Sequence, residues 1–275
     1  MMTSSGSGAQ PLRIGIGGLD ARKKTVAKPI LILQTGSASS VILRKYGDYD
    51  CMFVRAGGLE ALDARHLVRR VHVERGERPE NPRAYASVLV TGSDAMVTDR
   101  LPWSEAAAGW LRDALDAELP VFGVCYGHQL LAHALGGVVE DHPAGLELGT
   151  RELSLHPDAA REPLLDGVPS RCAANLFHSQ TVVALPKGAD VLAGSAHDPH
   201  QILRYGPMVW STQFHPEFSG DVMADILARE KERGNPAAHN AEAVDAPHAR
   251  AILRRFVERI PGLMDGGDET PGHCS

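Results

Sequence analysis

The segment Val121-Phe122-Gly123-Val124-Cys125-Tyr126-Gly127-His128-Gln129 constrains this 275-residue chain more than any other. An apolar run ends in G-x-C-x-G, and helical spacing follows at once. Leu130, Leu131, Ala134 and Leu135 share one face before Gly136-Gly137 stops the helix. Glycines two residues before and after the central position permit a sharp turn with close strand–helix packing. That turn holds the central side chain up at the carboxyl edge of a sheet, the geometry of a nucleophile elbow with cysteine in place of serine. The helix N-terminus behind Cys125 presents a positive dipole end that favours thiolate. It also aims the backbone N–H of Tyr126 at the place where an oxyanion would form.

The rest of the chain supplies a setting for such a turn. Ile30-Leu31-Ile32-Leu33 is a continuous apolar run of the kind found in strands covered on both faces. Further strands are expected at Val71-His72-Val73, at Ser87 to Val90 and at Val121 to Val124. A helix is expected between Trp103 and Glu118, where Trp103, Ala107, Trp110, Leu111, Ala114 and Leu115 keep helical spacing. Buried strands alternating with amphipathic helices predict an α/β fold with a mostly parallel central sheet flanked by helices. From about residue 138 to 213 the pattern shifts to short strands, at Glu152 to Leu155, Thr181 to Leu185, Val191 to Ala193, Gln201 to Tyr205 and Met208 to Thr212. These predict an antiparallel edge or excursion attached to the sheet. Helices near Gly220 to Lys231 and Pro247 to Ile260 close the chain, with a loop from Gly234 to Ala246 between them. The expected organisation is a flexible extension over 1–28, a single domain over 29–230, and a loop with a helical tail over 231–275. The apolar face of the last helix (Ile252, Leu253, Phe256, Val257, Ile260) is expected to pack on its own domain.

A thiol nucleophile needs a base, and the base needs an orienting partner. Among 13 histidines a lone one carries little weight. Gln213-Phe214-His215-Pro216-Glu217-Phe218 is more specific, because its His and Glu stand two apart across a proline whose fixed φ can set the carboxylate against the imidazole. His215 would accept the thiol proton and return it to a leaving amine, while Glu217 holds the ring tautomer.

The two segments, in this order, resemble the signature pair of class I (triad-type) glutamine amidotransferases, G-x-C-x-G-x-Q and H-P-E. The resemblance runs from about Ile30 to Phe218 and is greatest to free-standing proteins similar to the glutaminase domain of GMP synthetase. It implies a flavodoxin-like α/β fold, with Cys125 as nucleophile on the γ-carboxamide of glutamine and His215 and Glu217 completing the triad. It also implies an oxyanion hole made by the amide of Tyr126 and an amide of the Thr91-Gly92-Ser93-Asp94 loop, either that of Gly92 or that of Ser93. Ser93 stands where a second glycine is common. Gln129 corresponds to the glutamine that helps hold substrate. The short His-Gly segment near the substrate's amino-acid end reads Phe177-His178-Ser179-Gln180 here, with Ser179 replacing the glycine, so the acceptor pocket is expected to be altered around His178, Ser179 and Gln180. The resemblance implies no cofactor and no metal.

Composition narrows the alternatives. A formal charge of −6 and 5% aromatic residues argue against general nucleic-acid binding. The four cysteines, Cys51, Cys125, Cys172 and Cys274, form no CxxC pair and hence no zinc site of the usual spacing. Cys51 and Cys172 are expected as buried apolar residues and Cys274 in a frayed tail. His197 and His200 in Ala196-His197-Asp198-Pro199-His200 read as loop residues, and His128 and His133 miss the i,i+4 spacing of a helical metal pair. Gly15-Ile16-Gly17-Gly18 fails the GxGxxG spacing at Asp20. The N-terminus lacks the charged and apolar regions of a signal peptide, and no stretch approaches the ~20 apolar residues of a membrane span. A cytoplasmic protein with reduced thiols is expected.

An acceptor-activating domain with an SGG-x-DS loop is absent from these residues, so the sequence predicts cleavage without synthesis. Three functions remain open. The first is a glutaminase that passes ammonia to an unidentified partner synthetase. The second is a γ-glutamyl peptidase or hydrolase acting on other γ-glutamyl amides. The third is a non-catalytic binding module, against which the intact Cys125, His215 and Glu217 set argues.

Overall fold

The structure, a computed structural model, describes residues 27–261. The expected leader up to residue 26, including Gly15 to Gly18, and Cys274 lie outside the described residues. The first half comprises β1 (Ile30–Gln34), α1 (Ser40–Tyr46), α2 (Tyr49–Gly57), α3 (Glu60–Ala64), β2 (Val68–His72), β3 (Ser87–Val90), α4 (Pro102–Asp116), β4 (Val121–Val124) and α5 (Tyr126–Ala134). The second comprises β5 (Val138–Asp141), β6 (Glu147–Leu155), β7 (Arg171–His178), β8 (Gln180–Ala184), β9 (Asp190–Ser195), β10 (Ile202–Gly206), β11 (Val209–Thr212), α6 (Gly220–Glu232) and α7 (Pro247–Glu258).

Nine strands form one sheet in the order β2-β1-β3-β4-β11-β10-β9-β6-β7. The five from β2 to β11 are parallel, and the remaining four run antiparallel to their neighbours. β5 and β8 make a separate antiparallel pair. This is the expected α/β architecture, a mostly parallel sheet with an antiparallel extension.

Burial on both faces explains the unbroken apolar runs. Side chains alternate across a strand, so Ile30 and Ile32 face one layer while Leu31 and Leu33 face the other. The first layer joins them to Leu89, Phe122, Phe53 of α2 and Ile252, Leu253 and Phe256 of α7. The second joins Val88, Val90 and Val121 to Ala107, Leu111 and Ala114 of α4 and Leu130 and Leu131 of α5. A third cluster lies beneath α1 and α6, where Ile42, Tyr49, Met52, Phe218, Met223, Ile226 and Leu227 meet.

Several elements depart from the sequence reading. The strand expected at Val71 to Val73 begins at Val68, and Val73 already opens a 3-10 turn. Arg69 and Arg70 conceal its start, because Arg70 is satisfied by Asp50 at 2.6 Å and Asp63 at 2.7 Å. Met208 to Thr212, grouped with the antiparallel strands, is instead the seam. β11 pairs in parallel with β4 and antiparallel with β10. The strand at Glu152 to Leu155 is the end of a longer one, and its partner β7 was not expected. The inward positions of β7 are Cys172, Ala174, Leu176 and His178, too small and polar to read as a strand. Helices α1 to α3 were likewise not anticipated. Cys51 is half-exposed, not buried as expected, because the inward face of α2 is taken by Met52, Phe53 and Ala56. Cys172 is buried. No helix among the described residues is long and apolar enough to cross a membrane.

The last helix, assigned by sequence to a tail, is built into the first layer. The Phe256 ring lies 5.2 Å from that of Phe122 and 6.0 Å from that of Trp210, centroid to centroid. Phe256→Ala is expected to cost about 3–5 kcal/mol of stability, read as a fall in the urea midpoint at unchanged slope. A loss under about 1 kcal/mol would mean that α7 contributes little to the core.

Candidate active site

Cys125 stands between β4 and α5 with φ +52°, a left-handed conformation that non-glycine residues rarely adopt. The two glycines flanking it explain why the chain tolerates this. A Cβ on Gly123 would lie 2.5 Å from the Gly127 oxygen, and one on Gly127 would lie 2.6 Å from the Val90 oxygen. The Cys125 N–H donates to the Thr212 oxygen at 2.8 Å, and the Gly127 N–H donates to the Thr91 oxygen at 3.1 Å. These bonds tie the turn to β11 on one side and to the end of β3 on the other. The Tyr126 hydroxyl is buried 2.6 Å from Ser104 Oγ of α4, so its side chain is directed into the second layer.

The loop after β3 is fixed from below. Thr35 Oγ1 lies 2.9 Å from the Thr91 oxygen and 3.0 Å from that of Gly92, and Thr91 Oγ1 donates to the Gly92 oxygen at 3.0 Å. In a trans peptide the carbonyl and the following N–H point in opposite directions. Holding the Gly92 carbonyl inward therefore turns the Ser93 N–H outward. Gly36 presses on this loop so closely that a Cβ there would meet Ser93 Oγ at 2.7 Å. Ser93 Oγ in turn accepts from the Ala95 N–H at 3.1 Å.

The turn after β11 carries His215 and Glu217. His215 Nδ1 donates to Glu217 Oε1 at 2.7 Å, and both residues are buried. Asn175 of β7 clamps the turn at two points. Its oxygen accepts from the His215 N–H at 2.8 Å, and its Nδ2 donates to the Phe218 oxygen at 3.1 Å. The Phe218 ring stacks on the imidazole at 4.1 Å and 2°, with Tyr49 stacked behind it at 6.4 Å. Gly92 keeps space for the ring, since a Cβ there would lie 3.0 Å from His215 Cε1 and 3.7 Å from Cys125 Cβ. Burial alone would disfavour the imidazolium. The charge of Glu217, with charge and hydrogen bonding from Cys125, outweighs it and pushes the His215 pKa up to about 10.

Cys125 also borders a cleft of about 500 Å³ that includes Gln129, His178, Ser179 and Gln180. The side chains of this group are largely engaged inward. His178 Nδ1 faces the Gln180 oxygen at 2.9 Å and Nε2 faces Glu147 Oε2 at 2.9 Å. Glu147 also accepts from Ser195 Oγ at 2.7 Å and Gln201 Nε2 at 2.9 Å. Gln180 accepts from the Val97 N–H at 3.1 Å and donates to Thr98 and Asp141. Gln129 Nε2 donates to the Gln180 oxygen at 2.9 Å and to Gln213 Oε1 at 3.0 Å. The Phe177 carbonyl accepts from the Cys125 thiol at 3.7 Å. His178 and Gln180 thus brace the strand junction, and Ser179 between them is half-buried at the cleft.

His197 and His200 lie in the β9–β10 connection, facing the Gly145 and Val182 carbonyls. Among the described residues no group of three His, Cys, Asp or Glu side chains stands close enough to hold a metal. Sequence reasoning missed Thr35, Asn175, Tyr49, the bracing role of Thr91 in the loop it had named, and the packing role of Phe218. The threonines left a signal in the repeated Thr-Gly-Ser that follows β1 (Thr35-Gly36-Ser37) and β3 (Thr91-Gly92-Ser93). The other three had none.

Comparison with known proteins bears on the family and the fold. The family model described as glutamine amidotransferase class-I matches residues 60–231. The glutamine-hydrolysing GMP synthase of Porphyromonas gingivalis is 35% identical over 145 residues, 50% of this chain and 26% of that enzyme. This chain therefore spans only about a quarter of the length of the GMP synthases it matches. Gamma-glutamyl peptidase 5 of Arabidopsis thaliana is 28% identical over 199 residues, 70% of this chain and 77% of that protein. A glutamine amidotransferase structure from Thermotoga maritima shares the fold, with a TM-score of 0.64 at 20% identity over 86% of this chain and 99% of that one. A family match across more than half of the chain, on a sheet of the same fold, makes this protein a member of the class-I glutamine amidotransferase family.

Proposed function

We propose that this chain hydrolyses the γ-carboxamide of glutamine through a γ-glutamyl thioester on Cys125 and releases ammonia. The observation that carries the reading is a thiol at a strained strand–helix turn beside an imidazole whose far nitrogen is fixed by a buried carboxylate. The Cys125 thiol yields its proton to His215, Sγ attacks the carboxamide carbon, and the oxygen takes the negative charge. The amide of Tyr126, at the start of α5, is one donor to it. The inward-held Gly92 carbonyl favours Ser93 over Gly92 as the other. His215 gives its proton to the leaving nitrogen, the C–N bond breaks and ammonia departs. Water then attacks the thioester, His215 accepts its proton and returns it to Sγ as the C–S bond breaks, and glutamate leaves the restored thiol. Glu217 keeps the ring oriented and its charge balanced throughout.

The space on the His215 side of Cys125 supports glutamine as substrate. It measures about 40 Å³ and is bounded by Ala38, Ile42, Tyr49, Phe218 and Ile226. That admits a group the size of ammonia or water. Ammonia would pass to a partner synthetase, in keeping with the class-I glutamine amidotransferase family. A second reading, hydrolysis of other γ-glutamyl amides, draws on the likeness to a gamma-glutamyl peptidase over 70% of this chain.

An electrophilic glutamine analogue should label Cys125, as mapped by peptide mass spectrometry, and Cys125→Ser should abolish ammonia release while leaving the circular dichroism unchanged. Labelling at Cys51 or Cys172, or retained turnover in Cys125→Ser, would overturn the assignment.

Glu217 also sets a pH dependence. The folded His215 pKa of about 10 lies above its ordinary 6.5. The stability it contributes is therefore present in full below pH 6.5 and is lost as pH rises through about 10. Glu217→Gln should lower the His215 midpoint in an NMR titration of its ring proton and flatten the fall in urea midpoint over that window. An unmoved midpoint would remove Glu217 as the charge partner.

A further inference from the structure

The cleft beside Cys125 contains two cationic side chains, Arg229 of α6 and Arg233, the residue just past its end. Their situations differ. Arg233 is paired with Glu230 at 3.4 Å, and Glu230 is itself held by Asn235 Nδ2 at 2.9 Å. Arg229 is half-buried, yet among the described residues its guanidinium makes no ion pair and no side-chain hydrogen bond. This occurs in a chain with 34 acidic residues against 28 basic ones, where partners are plentiful. A cation withdrawn partly from water without a partner is unfavourable until an anion reaches it.

Arg229 is also well placed and well supported. It borders both spaces that meet at Cys125, the 500 Å³ cleft and the 40 Å³ chamber. Asp94, an acidic side chain from the loop after β3, borders the same two spaces. α6 is anchored along its length. Ser219 caps it by accepting from the Val222 N–H at 3.3 Å. Asp225 accepts from Lys45 Nζ at 2.6 Å and from the Tyr46 hydroxyl at 2.7 Å. Val222, Met223, Ile226 and Leu227 are packed in the third cluster.

We infer that Arg229 binds the α-carboxylate of the γ-glutamyl substrate and so selects for a free amino-acid head. This rests on the γ-glutamyl reading of the site. The guanidinium fork matches a carboxylate in a two-bond geometry that an ammonium does not reproduce. The space on the His215 side is about 40 Å³ against about 500 Å³ in the cleft, so the acyl portion with its carboxylate is assigned to the cleft that Arg229 borders. Arg229 thereby acts on substrate selection, while bond breaking stays with Cys125 and His215.

The test is steady-state kinetics of the full chain and its Arg229→Gln and Arg229→Lys variants. The substrates are glutamine, glutamine α-amide, γ-glutamylglycine and γ-glutamylmethylamide. For glutamine, Arg229→Gln should raise KM about 10- to 100-fold at nearly constant kcat, with Arg229→Lys in between. On glutamine α-amide, which lacks the carboxylate, wild type and Arg229→Gln should have equal KM. A KM rise of the same size on both compounds, or none on either, overturns the inference. So does an effect confined to γ-glutamylglycine, which would assign Arg229 to a leaving-group carboxylate. Thermal unfolding checks that the variants fold. Calorimetric binding of glutamine to Cys125→Ala, with and without Arg229→Gln, separates this inference from the reaction. If wild type turns over none of the four compounds, the proposed activity fails. Arg229-dependent glutamine binding would still uphold the carboxylate site, and its absence would overturn it.

Discussion

Three backbone segments approach one another beneath Cys125 at distances that no side chain tolerates. The end of β3, the turn after β4 and the first turn of α5 meet at Gly123 and Gly127, where a single methyl group would fall 2.5–2.6 Å from a carbonyl oxygen. This packing, and not any preference of cysteine, drives Cys125 to φ +52°. Strain of that kind costs about 1–3 kcal/mol. It is offset by backbone bonds to Thr212 and Thr91, which sit at the carboxyl ends of the two flanking strands. The thiol is therefore presented by the sheet itself, and its position is as rigid as the core below it.

The antiparallel half of the sheet serves the same site from the other side. β7 is the far edge in hydrogen-bonded order, four strands beyond β11. Yet its Asn175 holds the turn that follows β11 by two hydrogen bonds. The extension thus curls back, and its register fixes where the imidazole lies. Three residues further along the same strand, His178 is braced by Glu147, which Ser195 and Gln201 hold in turn, and this sets the wall of the cleft. One strand consequently controls the spacing between the base and the cleft.

What the sequence revealed follows from range. Gly123, Cys125 and Gly127, or His215, Pro216 and Glu217, lie within a few residues of one another, so local chemistry alone distinguishes them. The buried parallel strands were legible because burial on both faces removes polar residues from runs such as Ile30 to Leu33. β7 was not, because its inward side chains apart from Leu176 are small or polar, and its pairing partners lie from 17 (Ser154 to Arg171) to 31 (Glu147 to His178) residues away. α1 and α2 were obscured by short length and by polar residues that find distant partners, as Asp50 does with Arg70. Asn175 and Tyr49 act across 40 or more residues of chain, and no pattern in a single sequence announces such a contact. Arg229 was hidden for a different reason. What sets it apart is the lack of a partner, which only the folded surroundings reveal.

The two fully buried histidines near the elbow show what decides the chemistry here. His128, in the first turn of α5, has burial as its largest influence and is pushed down to about 3; the Ser211 hydroxyl at 2.8 Å is its hydrogen-bond partner, and the charge of Asp198 opposes the fall without overcoming it. His215 meets the same opposition from burial but is pushed up to about 10. The difference is a carboxylate at 2.7 Å and a thiol on the other side. The low dielectric that keeps an isolated imidazole neutral also makes each nearby charge count for more. Burial by itself is therefore no handicap to a base that must become cationic. It amplifies whichever neighbour the fold supplies, and at His215 the Asn175 clamp and the Phe218 stack ensure that this neighbour is Glu217.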